Sequence, residues 1–318
     1  MTDSTEARHE DALRELLSGV VLSDAQIQAH LDRAPSRDYW KKLAPDLSVG
    51  EPPSAEFSAA AVLEHQVRRE HIRRFHDDGY LRVEGIVPAG LVARMRAGVQ
   101  RVTAADWPAV FTWLYDEFWR VPRMPPLVGL FSDILGEKYR QTPYVWTHLV
   151  PAGRGSGGWR AHVDNSGPDR RLTVWIPLTD ATHDTGGMFV VPRDMVSRDL
   201  VSQWRERSSL SMDEVQSILQ ATRPLDCKAG GVLAWDARLI HWGSAPQVAG
   251  APRISFSMEF IGADGNPDVV VRSLAGWDGP LPTHEERLRM VATAISLFAS
   301  KEPRALRYLG LAHRLMEG

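Results

Sequence analysis

The most regular pattern along the chain is a series of short apolar runs between residues 143 and 271, separated by glycine and proline turns. The runs are YVWTHLV, RLTVWIPL, GMFVV, GGVLAW, RISFSMEF and DVVVRSL. Short runs rich in branched and aromatic residues, spaced by turn signals, are typical of the strands of an all-β sandwich or barrel. The pattern therefore predicts a β core over this part of the chain.

Two of these runs alternate strictly between two kinds of side chain. In the run at 253–260, Ile254, Phe256, Met258 and Phe260 alternate with Arg253, Ser255, Ser257 and Glu259. In the run at 171–178, Leu172, Val174, Ile176 and Leu178 alternate with Arg171, Thr173 and Trp175. Successive side chains of a strand point to opposite sides, so each strand has an apolar face and a more polar face. The second face either lines a polar cavity or simply faces solvent, and the pattern leaves both readings open.

Helical periodicity dominates on both sides of the β core. Helices are predicted over residues 56–77, 88–102, 106–119, 125–139 (ending near Gly136) and 283–317, with a helical insertion at 197–222. Residues 79–87 predict a short strand, and residues 38–54, which contain three prolines, predict a linker or draped loop. This layout divides the chain into an N-terminal helical extension (1–65), a central domain (66–271) and a C-terminal helical segment packed on the core (272–318).

Local signals predict a further helix that begins near Ser23 and refine two of the helices named above. Ser23 with Gln26, and Ser211 with Glu214, match the capping box that starts a helix. Within 106–119, apolar side chains at helical spacing predict a buried stripe made of Trp107, Phe111, Leu114 and Phe118.

Composition and charge narrow the functional class. The 318 residues have a formal net charge of -3 and scattered basic residues, which argues against a nucleic acid or membrane partner. The single cysteine, Cys227, excludes an internal disulfide and a cysteine-based zinc site. No apolar run is long enough to suggest a signal peptide or a transmembrane helix, so a cytoplasmic location is expected. A small-molecule substrate is expected, and the oligomeric state is left open.

The candidate chemistry starts from a histidine and a carboxylate two residues apart, His162 and Asp164. On an extended segment both side chains point to the same side. His241, between the β run GGVLAW and the turn WGSAP, is the natural third member. Two imidazoles and one carboxylate on one face of an octahedral metal suit non-haem Fe(II), whose open positions accept a co-substrate and dioxygen. Taken singly, each residue is more simply explained as an ordinary polar surface or turn residue.

Arg253 adds a fourth element to this set. It follows His241 by twelve residues and opens a predicted strand, with Ser255 on the same face. An arginine inside a barrel needs an anionic partner because a buried unpaired charge is costly. A dicarboxylate bound to iron at one end and to Arg253 at the other would supply that partner, since the guanidinium fork matches a carboxylate. Ser255 is placed to donate one more hydrogen bond.

Together these segments resemble the phytanoyl-CoA dioxygenase-like family of Fe(II)/2-oxoglutarate-dependent oxygenases over residues 71–262. The resemblance is carried by FHDDGYLRVEGIVPAGLVARMR (75–96), SDILG (132–136), HVD, VWIPLTDATHDTGGMFVVPRD (174–194) and GGVLAWDARLIHWGSAPQVAGAPRISFSMEF. It implies a mainly β fold with flanking helices, whose core is a double-stranded β-helix, or jelly roll.

The resemblance also implies roles for particular residues. His162, Asp164 and His241 would bind iron, and Arg253 would bind the far carboxylate of 2-oxoglutarate. Candidates for the rest of the oxoglutarate pocket are Trp175, Thr147 and Ser255. The implied cofactors are Fe(II), 2-oxoglutarate as co-substrate, and O2.

The chain departs from the family pattern after Pro192, where the usual Gly-Ser-His is replaced by Arg193, Asp194 and Met195. Asp164 is retained, whereas the halogenating branch of the family has a small residue there. The sequence therefore predicts hydroxylation of a C–H bond, with release of succinate and CO2.

The substrate is expected to be a small, polar metabolite such as an amino-acid derivative or a natural-product intermediate. Arg160, Asn165 and Arg171 lie close to the ligand pair and are the candidate substrate residues. Two other hypotheses remain: a cupin-type metalloenzyme that does not use 2-oxoglutarate, and a non-catalytic β-sandwich binding module.

Overall fold

The fold is built around two antiparallel sheets. The computed structural model describes residues 21–58, 63–153, 158–202, 204, 209–248, 250–266, 276, 278–299 and 301–317. The larger sheet contains β1 (Tyr80–Val83), β2 (Arg140–Val150), β4 (Arg171–Pro177), β7 (Val232–Asp236) and β9 (Arg253–Ile261), in the order β1-β7-β4-β9-β2. The smaller sheet contains β3 (Trp159–His162), β5 (Met188–Val190), β6 (Arg223–Leu225) and β8 (His241–Gly243), in the order β3-β8-β5-β6. This is the mainly β class predicted above; the predicted strand DVVVRSL (268–274) lies outside the described residues.

Helices surround the two sheets. In chain order they are α1 (Asp24–Leu31), α2 (Arg37–Leu43), α3 (Ala55–Ser58), α4 (His65–Asp78), α5 (Ala89–Ala104), α6 (Asp116–Arg120), α7 (Pro125–Leu135), α8 (Arg198–Ser202), α9 (Met212–Ala221), α10 (His284–Phe298), α11 (Pro303–Leu306) and α12 (Leu309–Glu317). Both predicted capping boxes are confirmed, at Ser23 and Ser211, and α7 ends at Gly136 as predicted. Among the described residues, no helix is both long and apolar enough to cross a membrane.

The two faces of β9 meet different surroundings. Its apolar face packs on the helical layer, where Phe256 lies 5.1 Å from Phe118 and Phe260 lies 5.0 Å from Phe131, measured between ring centroids. The opposite face is also buried: Arg253 is 3% exposed and Glu259 is 7% exposed. The polar face therefore lines the interior between the sheets and does not face solvent.

The predicted loop at 38–54 is wrong for residues 38–43. These residues form most of α2. The Ser36 side chain caps this helix by accepting a hydrogen bond from the Tyr39 amide, 3.2 Å away. Trp40 is fully buried, its indole N–H donates to the Ala34 carbonyl at 2.9 Å, and its ring lies 4.8 Å from that of Trp107. Burial of this tryptophan outweighs the local loop signals, because a large aromatic side chain contributes much of the stability of a core.

The predicted helix at 106–119 is also wrong as a continuous element. A 3-10 helix (Ala109–Leu114) follows Pro108, and the extended residue Tyr115 separates it from α6. The Tyr115 hydroxyl donates to the Trp40 carbonyl at 2.9 Å, so a tertiary contact holds the break. The predicted stripe is nevertheless buried throughout, in agreement with the sequence.

One fully buried carboxylate, Asp116, ties three parts of the chain together. It accepts hydrogen bonds from the backbone amides of Gly50 and Glu51, at 3.1 and 2.9 Å. It also forms ion pairs with Arg287 of α10 at 2.7 Å and with Arg120 of α6 at 3.3 Å. One continuous hydrophobic core likewise contains residues from the N-terminal helices, the sheet and α10. The division at residues 65 and 271 stays a prediction.

We expect Asp116→Ala to destabilise the protein by about 3–5 kcal/mol, because it leaves two buried guanidinium groups without their counter-ion. Urea unfolding followed by circular dichroism measures the change. Asp77→Ala, at an exposed position on α4, is the matched control and should change the free energy of unfolding by no more than about 0.5 kcal/mol. Similar small effects for both variants would contradict the role assigned to Asp116.

Candidate metal centre

The pairing of β3 with β8 brings two histidines side by side. His162, the last residue of β3, lies directly opposite His241, the first residue of β8, and their ring centroids are 4.3 Å apart. Asp164 follows two residues later, where its backbone amide donates to the Ala237 carbonyl at 2.9 Å. One ligand atom from each of the three residues lies within 4.8 Å of the others, so the group is able to hold a metal ion.

Each ring uses Nδ1 for a hydrogen bond to the backbone, which leaves Nε2 of both rings beside the Asp164 carboxylate. Nδ1 of His162 lies 2.8 Å from the Arg160 carbonyl, and Nδ1 of His241 lies 2.9 Å from the Leu239 carbonyl. A carbonyl only accepts, so Nδ1 carries the proton and Nε2 keeps its lone pair, as a metal ligand requires. Burial lowers the pKa of His241 to about 4, which keeps this ring neutral at physiological pH.

Asp164 is held in its ionised form. Its Oδ2 accepts hydrogen bonds from the Thr173 hydroxyl at 2.7 Å and from the Trp235 indole at 3.2 Å. Burial opposes ionisation of this carboxyl, but the adjacent His241 and His162 rings and the Thr173 hydroxyl outweigh burial and hold the pKa of Asp164 below its usual range. The triad therefore offers one carboxylate oxygen and two imidazole nitrogens, a set that suits Fe(II).

The triad opens into a cavity of about 450 Å³ between the sheets. Its lining includes the predicted residues Asn165, Arg171, Trp175 and Arg253, and further aromatic and polar residues: Tyr144, Trp146, His148, Trp159, Thr173, Trp235, Ser257, Glu259 and, from the C-terminal part, Leu297, Phe298 and Lys301. The cavity is large enough for more than one small molecule next to the metal ligands.

Arg253 is a buried cation in the wall of this cavity. Its Nη1 lies 3.5 Å from the Ser255 hydroxyl, and its guanidinium carbon lies 5.7 Å from the centre of the Trp175 ring. Neither the Nε of Arg253 nor the Trp175 indole nitrogen has a hydrogen-bond partner among the described residues. Among those same residues, no carboxylate lies within ion-pair distance of Arg253. Burial lowers the pKa of Arg253 to about 10. These unsatisfied donors fit the carboxylate of a bound organic acid.

The register of the larger sheet places the metal ligands and Arg253 towards different ends of the cavity. Thr173, which holds Asp164, pairs with Glu259, whereas Arg253 lies six residues earlier on the same strand. Side chains two residues apart on a strand are roughly 7 Å apart along it. The metal ligands therefore lie near the Glu259 end, and Arg253 reaches towards them from the other end.

The predicted substrate residues are placed in three different ways. Arg171 lines the cavity, but its guanidinium is engaged with Glu259 at 3.0 Å and Asp169 at 3.2 Å. Asn165 lines the cavity and accepts a hydrogen bond from the Gly167 amide at 2.9 Å. Arg160 is exposed, does not line the cavity, and contributes its backbone carbonyl to His162.

Two predicted oxoglutarate residues lie away from the cavity surface. The Thr147 hydroxyl is 2.9 Å from that of Thr112 in the helical layer, because Thr147 pairs with Phe256 and shares its apolar face. Its neighbour His148 pairs with Ser255 and lies on the cavity face instead. Ser255 is fully buried and is not among the residues that line the cavity, and its hydroxyl lies 3.5 Å from Nη1 of Arg253.

Several cavity residues were missed by the sequence reasoning. The Trp159 indole donates to Nε2 of His162 at 3.2 Å, so it lies directly beside the metal position. His148 is half-buried, and its partial burial, together with the nearby Arg253, lowers its pKa to about 3. Strict alternation in β2 would have placed His148 on the same face as Trp146. No sequence signal indicated Phe298, which comes from a helix with no recognised motif.

Comparison with known proteins identifies the class. Residues 109–255 match the family model described as phytanoyl-CoA dioxygenase (PhyH). The resemblance predicted from the sequence, to non-haem oxygenases that depend on Fe(II) and 2-oxoglutarate and have a jelly-roll fold, is therefore confirmed over this segment, which contains His162, Asp164, His241 and Arg253. None of the curated proteins compared with the chain matches it.

Solved structures agree on the fold. The epimerase SnoN from nogalamycin biosynthesis, described as non-haem and α-ketoglutarate-dependent, is 20% identical with a TM-score of 0.52, covering 63% of this chain and 82% of its own. The carbocyclase SnoK from the same biosynthesis is 19% identical with a TM-score of 0.51, covering 74% of this chain and 98% of its own. A second SnoN structure, with Fe3+, α-ketoglutarate and nogalamycin RO, has a TM-score of 0.50 at 19% identity, covering 63% of this chain and 85% of its own.

We expect Thr173→Val to weaken metal binding by about 10-fold to 100-fold, because it removes the hydroxyl that orients Asp164. Anaerobic calorimetric titration with Fe(II), or with Co(II) as a redox-stable probe, measures the affinity. Thr147→Val is the matched control, since its hydroxyl bonds to Thr112 outside the cavity, and it should leave the affinity unchanged. Equal affinities for both variants and the unmodified protein would contradict this role of Thr173.

Proposed function

We propose that this oxygenase hydroxylates a C–H bond of a small, polar metabolite with release of succinate and CO2. His162, Asp164 and His241 would hold the iron, and Arg253 would bind the far carboxylate of 2-oxoglutarate. The observation that carries the proposal is the buried, unpaired guanidinium of Arg253 in the same cavity as the triad. The two other hypotheses, a cupin-type enzyme without 2-oxoglutarate and a binding module without turnover, include no anionic ligand that would offset a buried cation at that position.

The chain's own residues bind, orient and shield in this proposal. Arg253 fixes the dicarboxylate by charge, and the Trp175 ring beneath the guanidinium restricts its orientation. Thr173 and Trp235 hold the carboxylate of Asp164 through its Oδ2. The indole rings of Trp159 and Trp235 lie against the ligand set and exclude water from it. When bound, Fe(II) with 2-oxoglutarate and O2 supplies the oxidant that converts a C–H bond to C–OH.

The other end of the cavity supports a substrate that combines a polar group with a ring or apolar face. Glu259 is buried and paired with Arg171, and burial raises the pKa of Glu259 to about 7. Aromatic rings form the facing wall: Phe298 lies 5.0 Å from Trp146 and 6.0 Å from Trp159 between ring centroids. Because Arg171 is already paired, the cavity favours a hydroxyl or amino group over a free anion at this end.

We expect anaerobic addition of Fe(II) and 2-oxoglutarate to the protein to give a visible metal-to-ligand charge-transfer band. Asp164→Ala and His241→Ala should abolish the band because each removes a ligand. Arg253→Gln should keep the band at saturation but raise the 2-oxoglutarate concentration at half-saturation by roughly 30-fold or more. Arg170→Gln, at an exposed arginine paired with Asp264, is the charge-matched control and should change nothing. A normal titration of Arg253→Gln would overturn the oxoglutarate role.

We expect a substrate screen followed by succinate release to identify compounds that stimulate turnover, and mass spectrometry to show a product with one added oxygen. The names of the similar folds, epimerase and carbocyclase, define the competing outcomes. An unchanged product mass would indicate epimerisation, and a loss of two hydrogens would indicate ring closure or desaturation. Either result would overturn hydroxylation while leaving the oxygenase class intact.

A further inference from the structure

A second cavity, larger than the one at the triad, lies on the other side of the helical layer. Its volume is about 610 Å³, and it is enclosed by the segment 49–58, by α6 and the turn after it, and by the start of α10. The two cavities share no lining residue. The reaction proposed above uses none of the residues around this second cavity.

The charges around this cavity do not balance. Four guanidinium groups line it, from Arg37, Arg120, Arg123 and Arg287, against two carboxylates, Asp116 and Glu51. Asp116 is shared by Arg120 and Arg287, and Glu51 forms an ion pair with Lys41 at 3.0 Å. Within the described ranges, Arg123 and Arg37 therefore have no carboxylate in ion-pair contact. Arg123 is partly removed from water without a counter-ion, which is costly, and the exposed Arg37 adds a second positive charge at the rim, so the cavity favours an anion.

Two side chains present unsatisfied polar atoms here. The Arg123 Nη1 donates to the Trp119 carbonyl at 2.7 Å and to the Gln141 side chain at 3.0 Å, but its Nε has no partner in the part of the chain that the structure describes. His284 is 8% exposed, and its Nε2 donates to the Ala34 carbonyl at 2.9 Å, which leaves Nδ1 without a partner there. Buried polar atoms are normally satisfied, so these two groups point to a bound molecule.

Much of the remaining lining is apolar. Val49, Phe57, Pro125 and Leu281 cover part of the wall. A bare inorganic anion would leave this wall in contact with water, whereas an organic molecule would cover it. The positive end of the α10 dipole, at the capped residue Thr283, adds to the attraction for negative charge.

We propose that this cavity is a second ligand site, separate from the iron centre, for an organic anion with a carboxylate or phosphate group on an apolar body. Arg123 and Arg37 bind the anionic group. Arg37, His284 and Arg287 lie outside the family-matched residues 109–255, so the site belongs to this chain's terminal segments as much as to the family fold.

Calorimetric titration of the full-length protein with phenyl phosphate and, separately, with phenylacetate tests the proposal. At least one should bind saturably with one site per chain, and the preferred probe tells phosphate from carboxylate ligands. Arg123→Gln and Arg37→Gln should each weaken binding by roughly 10-fold, the value of one charge-assisted hydrogen bond. Arg37 is exposed, so its variant keeps the test valid even if Arg123→Gln folds poorly.

Two control variants locate the bound probe. Arg96→Gln removes an exposed arginine that lines neither cavity and should bind normally. Arg253→Gln removes the unpaired cation of the iron-side cavity and should also bind normally. Three results would overturn the second site. The first is loss of probe binding in Arg253→Gln alone, and the second is that neither probe binds saturably. The third is that inorganic phosphate binds with the same affinity as the organic probes. These results do not depend on turnover, so they are distinct from a failure of the proposed hydroxylase activity.

Discussion

The face of the larger sheet that carries charged side chains is buried, and much of the arrangement around it follows from the need to satisfy those groups. Glu259 meets Arg171, and Asp164 meets Thr173 and Trp235. Arg253 has no such partner among the residues that the structure describes, although it is at least as buried as Glu259. In a close-packed interior, a buried guanidinium without a protein counter-ion is tolerated where a bound anion pairs with it. In the proposed function, the carboxylate of an organic acid is the partner that Arg253 lacks among the described residues.

Much of the fold could be predicted because its strands follow simple alternation. The runs at 171–178 and 253–260 became β4 and β9, and the neighbouring residues His162 and Asp164 needed only the pairing of β3 with β8 to meet His241. Alternation fixes which residues share a face but does not say which face is inside. The interior position of the polar face became visible only when two sheets and a helical layer were assembled around it.

Other features depended on contacts between distant segments. The segment around Trp40 is helical where the prolines indicated a loop, because the Trp40 ring packs against Trp107. Tyr115 interrupts a helical pattern because its hydroxyl reaches the Trp40 carbonyl. Thr147 was a candidate for the oxoglutarate pocket through the family resemblance, and its pairing with Phe256 places it on the apolar face of the sheet. Local sequence carries no record of such partners, so these errors arise wherever tertiary contacts outweigh local preference.

The position of α10 has a consequence for how this oxygenase diversifies. The family-matched segment supplies the metal ligands and ends at Ser255, before Glu259 and well before Leu297 and Phe298. The walls that would meet a substrate therefore come partly from a helix that the metal chemistry does not constrain. A substitution in this helix can therefore reshape the cavity wall without touching the metal ligands of the β core.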